Sequence, residues 1–317
     1  MKIVYDYKKM KPLPRSVGTI GVFDGVHRGH SAVLRRAVRE ARRLNVKSAA
    51  ITFDPHPLSV LRPHPKVPRI MSLEHRLRLI AKHGIDVALV VKFSRAFSGM
   101  TAEDFVKNII IRKFNARSVI VGEKFSFGPG ASASEATLKS LGDKSGFSVL
   151  VVKPLKADGS IISSSRIRTL IQHGDISMAA RCLGRPVSVF GTVISGARLA
   201  RELGYPTANI DPHHEVIPPI GVYAVIALYN KRMYGGILNI GVKPTFFDPG
   251  ARKEPTIEAH IFNFKKHIYG KTIEILFIKK IRDEQKFKDP DELIRRIHSD
   301  EAIARKILNQ KKTRHFI

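Results

Sequence analysis

Apolar positions along the 317-residue chain follow two rhythms, and the change between them falls near residue 183. Before it, short apolar runs alternate with segments of helical period. Thr19–Phe23, Ser48–Phe53, Asp86–Val91, Ser118–Val121 and Val149–Val152 are candidate strands, rich in the β-branched residues of strands buried on both faces. Between them, Ala32, Val33, Ala37, Val38, Ala41 and Leu44 recur at helical spacing. Ser72–His83 ends at Gly84, and Thr101–Lys113 opens on a capping-type Thr101 with Asp104 three residues on. Ser164–His173 and Ile176–Leu183 close this part at Gly184-Arg185-Pro186. The pattern predicts an α/β domain with a mainly parallel sheet over residues 1–182.

After the change, β-rich runs follow one another with Gly, Pro and Asn at the turns: Val187–Val193, Val222–Leu228, Gly236–Ile240, Thr256–Phe262 and Thr272–Ile278. They predict a small antiparallel barrel over residues 183–311. An amphipathic helix from Asp291 to Asn309 is expected to pack on it, and Lys311–Ile317 is expected to fray.

Composition narrows the class. A hydrophobic content of 43% is ordinary for globular domains with proper cores. No run approaches the ~18 apolar residues of a membrane span, and the first residues lack the h-region of a signal peptide, so no membrane role and a cytoplasmic location are expected. Cys182, alone of its kind, excludes an internal disulfide and is expected to pack as a small apolar residue. The formal charge of +28 would attract polyanions. Its lysines and arginines are spread along the chain without a recognition helix or aromatic platform, so no specific nucleic-acid partner is expected. An enzyme handling ATP and phosphorylated substrates would gain from the same field.

The densest chemistry lies at the first strand-to-helix turn, Gly21-Val22-Phe23-Asp24-Gly25-Val26-His27-Arg28-Gly29-His30. A helix N-terminus offers free N–H groups and a partial positive charge, and glycines allow close approach of an anion. His27 and His30 could donate to phosphate oxygens there; capping, surface and half-metal-site roles stay open. Asp54-Pro55-His56-Pro57 follows another strand, at the sheet edge where ligands collect in open α/β folds; Asp54 could bind ligand or cap a turn. Ser163-Ser164-Ser165 could be N-caps of the next helix. In the second part no G-x-x-x-x-G-K-[S/T] occurs, since Gly236-Ile237-Leu238-Asn239-Ile240-Gly241-Val242-Lys243 misses by one residue. Thr207 and Asn209, two apart on an extended segment, offer hard oxygens to one side, as Mg²⁺ prefers. Glu258 could be a general base or a solvated outer residue. His213-His214-Glu215 is expected to be surface.

These motifs resemble, in order and over nearly the whole chain, those of the bacterial bifunctional riboflavin kinase/FMN adenylyltransferases. The first turn is similar to the H-x-G-H signature of nucleotidyltransferases. Phe53-Asp54-Pro55-His56-Pro57, Ser163 to Arg168, Gly204-Tyr205-Pro206-Thr207-Ala208-Asn209 and Tyr269-Gly270 follow in the family's order. The resemblance implies a Rossmann-like adenylyltransferase domain, a riboflavin-kinase barrel, and riboflavin, FMN and ATP as substrates with Mg²⁺ in both steps. It implies that Gly21, Phe23, Asp24, Gly29, Ser164, Ser165 and Arg168 bind nucleotide around His27 and His30. Asp54, Lys124, Phe125 and Arg282 would contact flavin or substrate, Thr207 and Asn209 would hold metal, and Glu258 would act as base. Gly196 to Leu203 resembles the family's ATP-covering loop. Lys124 departs from the pattern, standing where the family usually has Asp or Asn, and Ala131 to Ser134 lacks a usual arginine. The rival expectations are a kinase with weak or lost adenylyltransferase activity and a non-catalytic flavin- or RNA-binding module. Monomer and weak homo-oligomer stay open.

Overall fold

A computed structural model describes residues 1–62, 68–195, 205–242, 255–285 and 287–310. They form two compact units, Met1–Arg69 with Leu73–Ser164, and Ile70–Ser72 with the chain from Ser165 onward.

In the first unit six strands form one sheet in the order β1-β4-β3-β2-β5-β8, each neighbour pair parallel. The strands are β1 (Lys2–Val4), β2 (Ser16–Ile20), β3 (Lys47–Asp54), β4 (Val87–Lys92), β5 (Ala116–Gly122) and β8 (Ser148–Val152). A hairpin of β6 (Ser126–Phe127) and β7 (Ala133–Ser134) follows β5, and β9 (Lys156–Ala157) pairs with β10 (Ser160–Ile161). Helices α1 (Arg28–Arg43), α2 (Pro57–Leu61), α3 (Leu73–Lys82), α4 (Arg95–Ser98), α5 (Ala102–Phe105) and α6 (Glu135–Ser145) connect them. The expected helix from Thr101 to Lys113 is corrected: only its first turn is α, and Val106–Ile111 continues as a π-helix. β2 begins and ends three residues earlier than the apolar run suggested, so Gly21, Val22 and Phe23 belong to the turn. One core gathers Ile51, Leu89, Ile109, Ile110, Phe114 and Leu138, all fully buried.

The second unit opens with α7 (Ser164–Gln172), whose first residue belongs to the first unit, and α8 (Ile176–Leu183). α8 carries Cys182, fully buried as expected. A closed barrel follows in the order β11-β12-β15-β14-β13-β16. Its strands are β11 (Val187–Ile194), β12 (Ala208–Asp211), β13 (Gly221–Tyr229), β14 (Arg232–Val242), β15 (Pro255–Ile261) and β16 (Thr272–Arg282), and every pairing is antiparallel. Closure leaves no free sheet edge. The terminal helix, Pro290–Leu308, is capped by Asp289 and packs Ile297, Ala304 and Leu308 against Ala224, Ile237 and Phe262. Arg282 reaches it with two nitrogens on the buried Asp300 carboxylate, at 2.8–3.1 Å. The expected surface cluster at His213-His214-Glu215 is corrected at Glu215: its buried carboxylate accepts the Ser72 and Phe190 N–H groups at 2.7 and 3.0 Å.

Candidate active sites

In the first unit β2 ends at Ile20 and the chain turns into α1. The turn bends through left-handed backbone at Phe23, Gly25 and Val26, with φ of 55°, 86° and 36°. His27 is the N-cap of α1, and its Nδ1 accepts the His30 N–H at 3.2 Å. A nitrogen that accepts carries no proton, so neutral His27 holds its hydrogen on Nε2. The two imidazoles stack, with centroids 3.6 Å apart and planes 15° from parallel, and Phe23 meets His30 edge-on at 5.4 Å. Gly29 leaves room for this stack: a Cβ there would stand 3.1 Å from the His27 ring, a tight contact that would press on the imidazole.

Arg76, which the sequence reading overlooked, holds the turn from beneath. It is 4% exposed, and its guanidinium donates to Val22 O at 2.8 Å and Phe53 O at 3.0 Å, tying the ends of β2 and β3 together. Burial lowers its pKa, against the opposing pull of Asp24 and Asp54. Asp54 lies 3.5 Å from Arg69 and 3.8 Å from Arg76. Ser164 is inside α7 rather than its cap, and its hydroxyl donates to Asp24 O at 2.7 Å. Ser165 and Arg168 fall one and four positions further along α7.

Beside Asp54 runs a ladder of rings, all half-buried except the buried Phe105. Phe53, Phe93 and Phe97 pack mutually at 5.8–6.1 Å, Phe97 touches Phe105, Phe105 touches Phe127, and Phe127 stacks on Phe125 at 5.4 Å. Lys124, one residue before Phe125, is exposed and has φ of 67°. Asn and Asp tolerate that left-handed backbone better than other side chains, which gives a backbone reason for the amide or acid expected there.

In the barrel, register assembles the second constellation. Asn209 on β12 stands opposite Glu258 on β15. Ile257, Ala259 and Ile261 are buried while Glu258 and His260 are half-buried, so Glu258 faces outward with Asn209 rather than into the core. Thr207 and Asn209 line a cavity of about 440 Å³, shared with Ala259, Phe264, His267 and Tyr269 among others. The segment before Thr207 is clasped twice. His260 Nδ1 lies 3.0 Å from Pro206 O, and the Tyr205 hydroxyl lies 2.7 Å from His298 Nδ1 on the terminal helix. Burial raises the Tyr205 pKa. Arg282, expected near flavin, has Nη1 on Asp283 O as well as two nitrogens on Asp300, so it ties the end of β16 to the terminal helix. No group of three His, Cys, Asp or Glu side chains suited to a metal occurs among the described residues. The sequence similar to an ATP-covering loop, Gly196 to Leu203, lies outside the described residues.

A glycine- and histidine-bearing turn on a parallel sheet, followed by a barrel that sets Thr207 and Asn209 near a carboxylate, fits the class of two-headed nucleotide-using transferases. The FAD synthetase family matches residues 9–166 and the riboflavin kinase family matches residues 183–308. The chain belongs to the bifunctional riboflavin kinase/FMN adenylyltransferase family. It is 36% identical to the protein of that name from Buchnera aphidicola subsp. Schizaphis graminum, over 98% of this chain and 99% of that one. It is 33% identical to the Escherichia coli K12 protein over the same shares, and 37% identical to the Bacillus subtilis 168 protein over 92% of each. Among solved structures it is similar to one described as a macrolide-efflux protein from Streptococcus pneumoniae, with a TM-score of 0.83 and 30% identity over 96% of this chain and 98% of that chain. Efflux belongs to that description; among the described residues no helix here is long and apolar enough to cross a membrane.

Proposed function

We propose that this enzyme makes FMN in its barrel and FAD in its N-terminal unit, using ATP in both steps. In the first reaction the ribityl 5′-oxygen of riboflavin bonds to the γ-phosphorus of ATP, the bond to the β-bridging oxygen breaks, and ADP leaves. The hydroxyl proton goes to the Glu258 carboxylate. The observation that carries this assignment is the direct pairing of Glu258 with Asn209, which itself lines the 440 Å³ cavity with Thr207. Thr207 and Asn209 supply the hard, neutral oxygens that suit Mg²⁺, which would neutralise charge on the phosphates when bound. General-base assistance from Glu258 is worth about 10²–10⁴ in rate.

In the second reaction an FMN phosphate oxygen bonds to the α-phosphorus of ATP and pyrophosphate leaves. No protein nucleophile is needed, so catalysis is alignment of two anions plus donors prepared for the leaving group. The fixed Nε2–H of His27, the neighbouring His30 and the start of α1 supply such donors. Gly21, Gly29, Phe23 and Asp24 shape that turn. Ser164, Ser165 and Arg168 are assigned to the triphosphate. The phenylalanine ladder beside Asp54 and Phe125 suits a flat isoalloxazine, and Lys124 lies next to it. We assign the domain boundary to residues 182–183 and the enzyme to the cytoplasm.

Incubation with riboflavin and Mg-ATP, with chromatographic separation of riboflavin, FMN and FAD, tests both halves at once. FMN without FAD would leave only the kinase assignment standing. Neither product would defeat both.

A further inference from the structure

Thr207 and Asn209 line the same cavity but are held in different ways. Asn209 belongs to β12 and is paired on both sides, with Ile194 on β11 and Glu258 on β15. Thr207 precedes the first residue of β12, and neither ladder pairs it. The place of an oxygen on such a residue is set by what holds its neighbours. Both residues before Thr207 are held.

Pro206 has no N–H, so its carbonyl is the only hydrogen-bonding handle its backbone offers. That carbonyl accepts the Nδ1–H of His260, 3.0 Å away and two residues after Glu258 on β15. Tyr205 is buried, its ring meets His260 and His298 edge-on at 5.2 and 5.3 Å, and its hydroxyl lies 2.7 Å from His298 Nδ1. His298 stands on the terminal helix, 93 residues further along the chain. That helix is itself anchored. Two residues on from His298, the buried Asp300 carboxylate takes two nitrogens of Arg282 at the end of β16, and Arg305 lies over the Phe262 ring at 4.2 Å. One line of contacts thus runs from the terminal helix through a hydroxyl, a ring and a carbonyl to the residue beside Thr207.

We propose that Tyr205, His260 and His298 are positioning residues of the kinase site, fixing the backbone at Thr207 so that its oxygen stands ready beside that of Asn209 for the magnesium of the nucleotide. The inference rests on the flavokinase assignment above. A loose ligand must be ordered each time the metal binds, a cost that a clasped one avoids. Loss of the clasp therefore weakens the use of metal and spares the flavin.

The test uses the full-length protein with Tyr205→Phe, which keeps the ring and drops one oxygen, His298→Ala, the two combined, and His298→Asn, which returns an acceptor. Each of the first two changes should raise the Mg²⁺ concentration for half-maximal FMN formation about fivefold and leave the KM for riboflavin within about twofold. The combined variant should be no worse than its more affected parent, since both changes remove the same bond. His298→Asn should recover most of the wild-type value, and FAD formation from supplied FMN should keep its Mg²⁺ dependence. Hydrogen exchange from Thr207 to Asp211 should run about fivefold faster in Tyr205→Phe than in the wild type. Thermal melting shows whether each variant folds. Unchanged Mg²⁺ dependence in both folded single variants, additive effects in the combined one, or an equal rise in the KM for riboflavin would overturn the proposal. If the wild-type protein formed no FMN, the flavokinase assignment would fall. The exchange comparison would still decide the clasp, because unchanged exchange in Tyr205→Phe defeats it without any turnover.

Discussion

The first candidate site lies within one stretch, Gly21 to His30, whereas the barrel's candidate residues Asn209 and Glu258 are brought together from two strands. A turn-borne site depends on local backbone: left-handed residues bend the chain, and His27 caps the helix that it equips. A ladder-borne site depends on register, and a slip of one residue would carry Glu258 into the core and Ile257 out of it. The first can be lost by disturbing a loop. The geometry of the second is lost when the pairing that also closes the barrel is disturbed.

The largest effects should separate the two activities. Asn209→Ala or Glu258→Gln should lower FMN formation by about 10²–10⁴ while FAD formation from supplied FMN continues. Replacing His27 and His30 by Ala should do the converse, at about 10²–10³ in rate for each donor removed. Equal loss of both activities in a folded variant would erase the distinction between the sites.

Smaller effects probe how each site is supported. Arg76→Met removes the guanidinium from the Phe53 carbonyl and leaves the Val22 carbonyl only the Thr52 hydroxyl, and it should destabilise the first unit by about 1–3 kcal/mol in denaturant titrations. FAD synthesis should fall more than FMN synthesis; an even fall would show that Arg76 serves only the fold. In the barrel, Tyr223 donates to Pro219 O at 2.6 Å, and burial, helped by Asp283, pushes its pKa up to about 12. The unfolded phenol titrates near ~10, so its contribution is complete below that pH and is lost as pH rises through about 12. Chemical denaturation between these values should show a loss of about 2 kcal/mol that Tyr223→Phe abolishes.

The least effect is expected at Lys124. Lys124→Asn should relieve left-handed strain by about 1 kcal/mol and raise the Tm of the first unit by about 2–4 °C. If adenylyltransferase kcat/KM rose as well, the lysine would also be disturbing substrate. A fall would mean that it clamps polyphosphate.

What was legible follows the same division. Contiguous residues with glycines and histidines announced the first turn, and the alternation of runs announced both folds. Arg76 was hidden as one charge in a basic helix, although its place was readable: it occupies the apolar stripe of Leu73, Leu77 and Ile80. The pairing of Asn209 with Glu258 was hidden because the two are remote in sequence and only strand register joins them. Glu215 looked like a loop residue since nothing local reveals that two distant backbone N–H groups converge on it. The π-helical stretch at Val106–Ile111 has an ordinary helical composition, so only packing distinguishes it.

The solitary buried thiol in α8 offers a clock. Cys182 is fully covered, so a reagent such as an aromatic disulfide can reach it only when that helix opens. Labelling rates, followed by colour alone and without engineered probes, would count those openings. Any slowing by riboflavin or Mg-ATP would measure how far ligands damp the motion of α8.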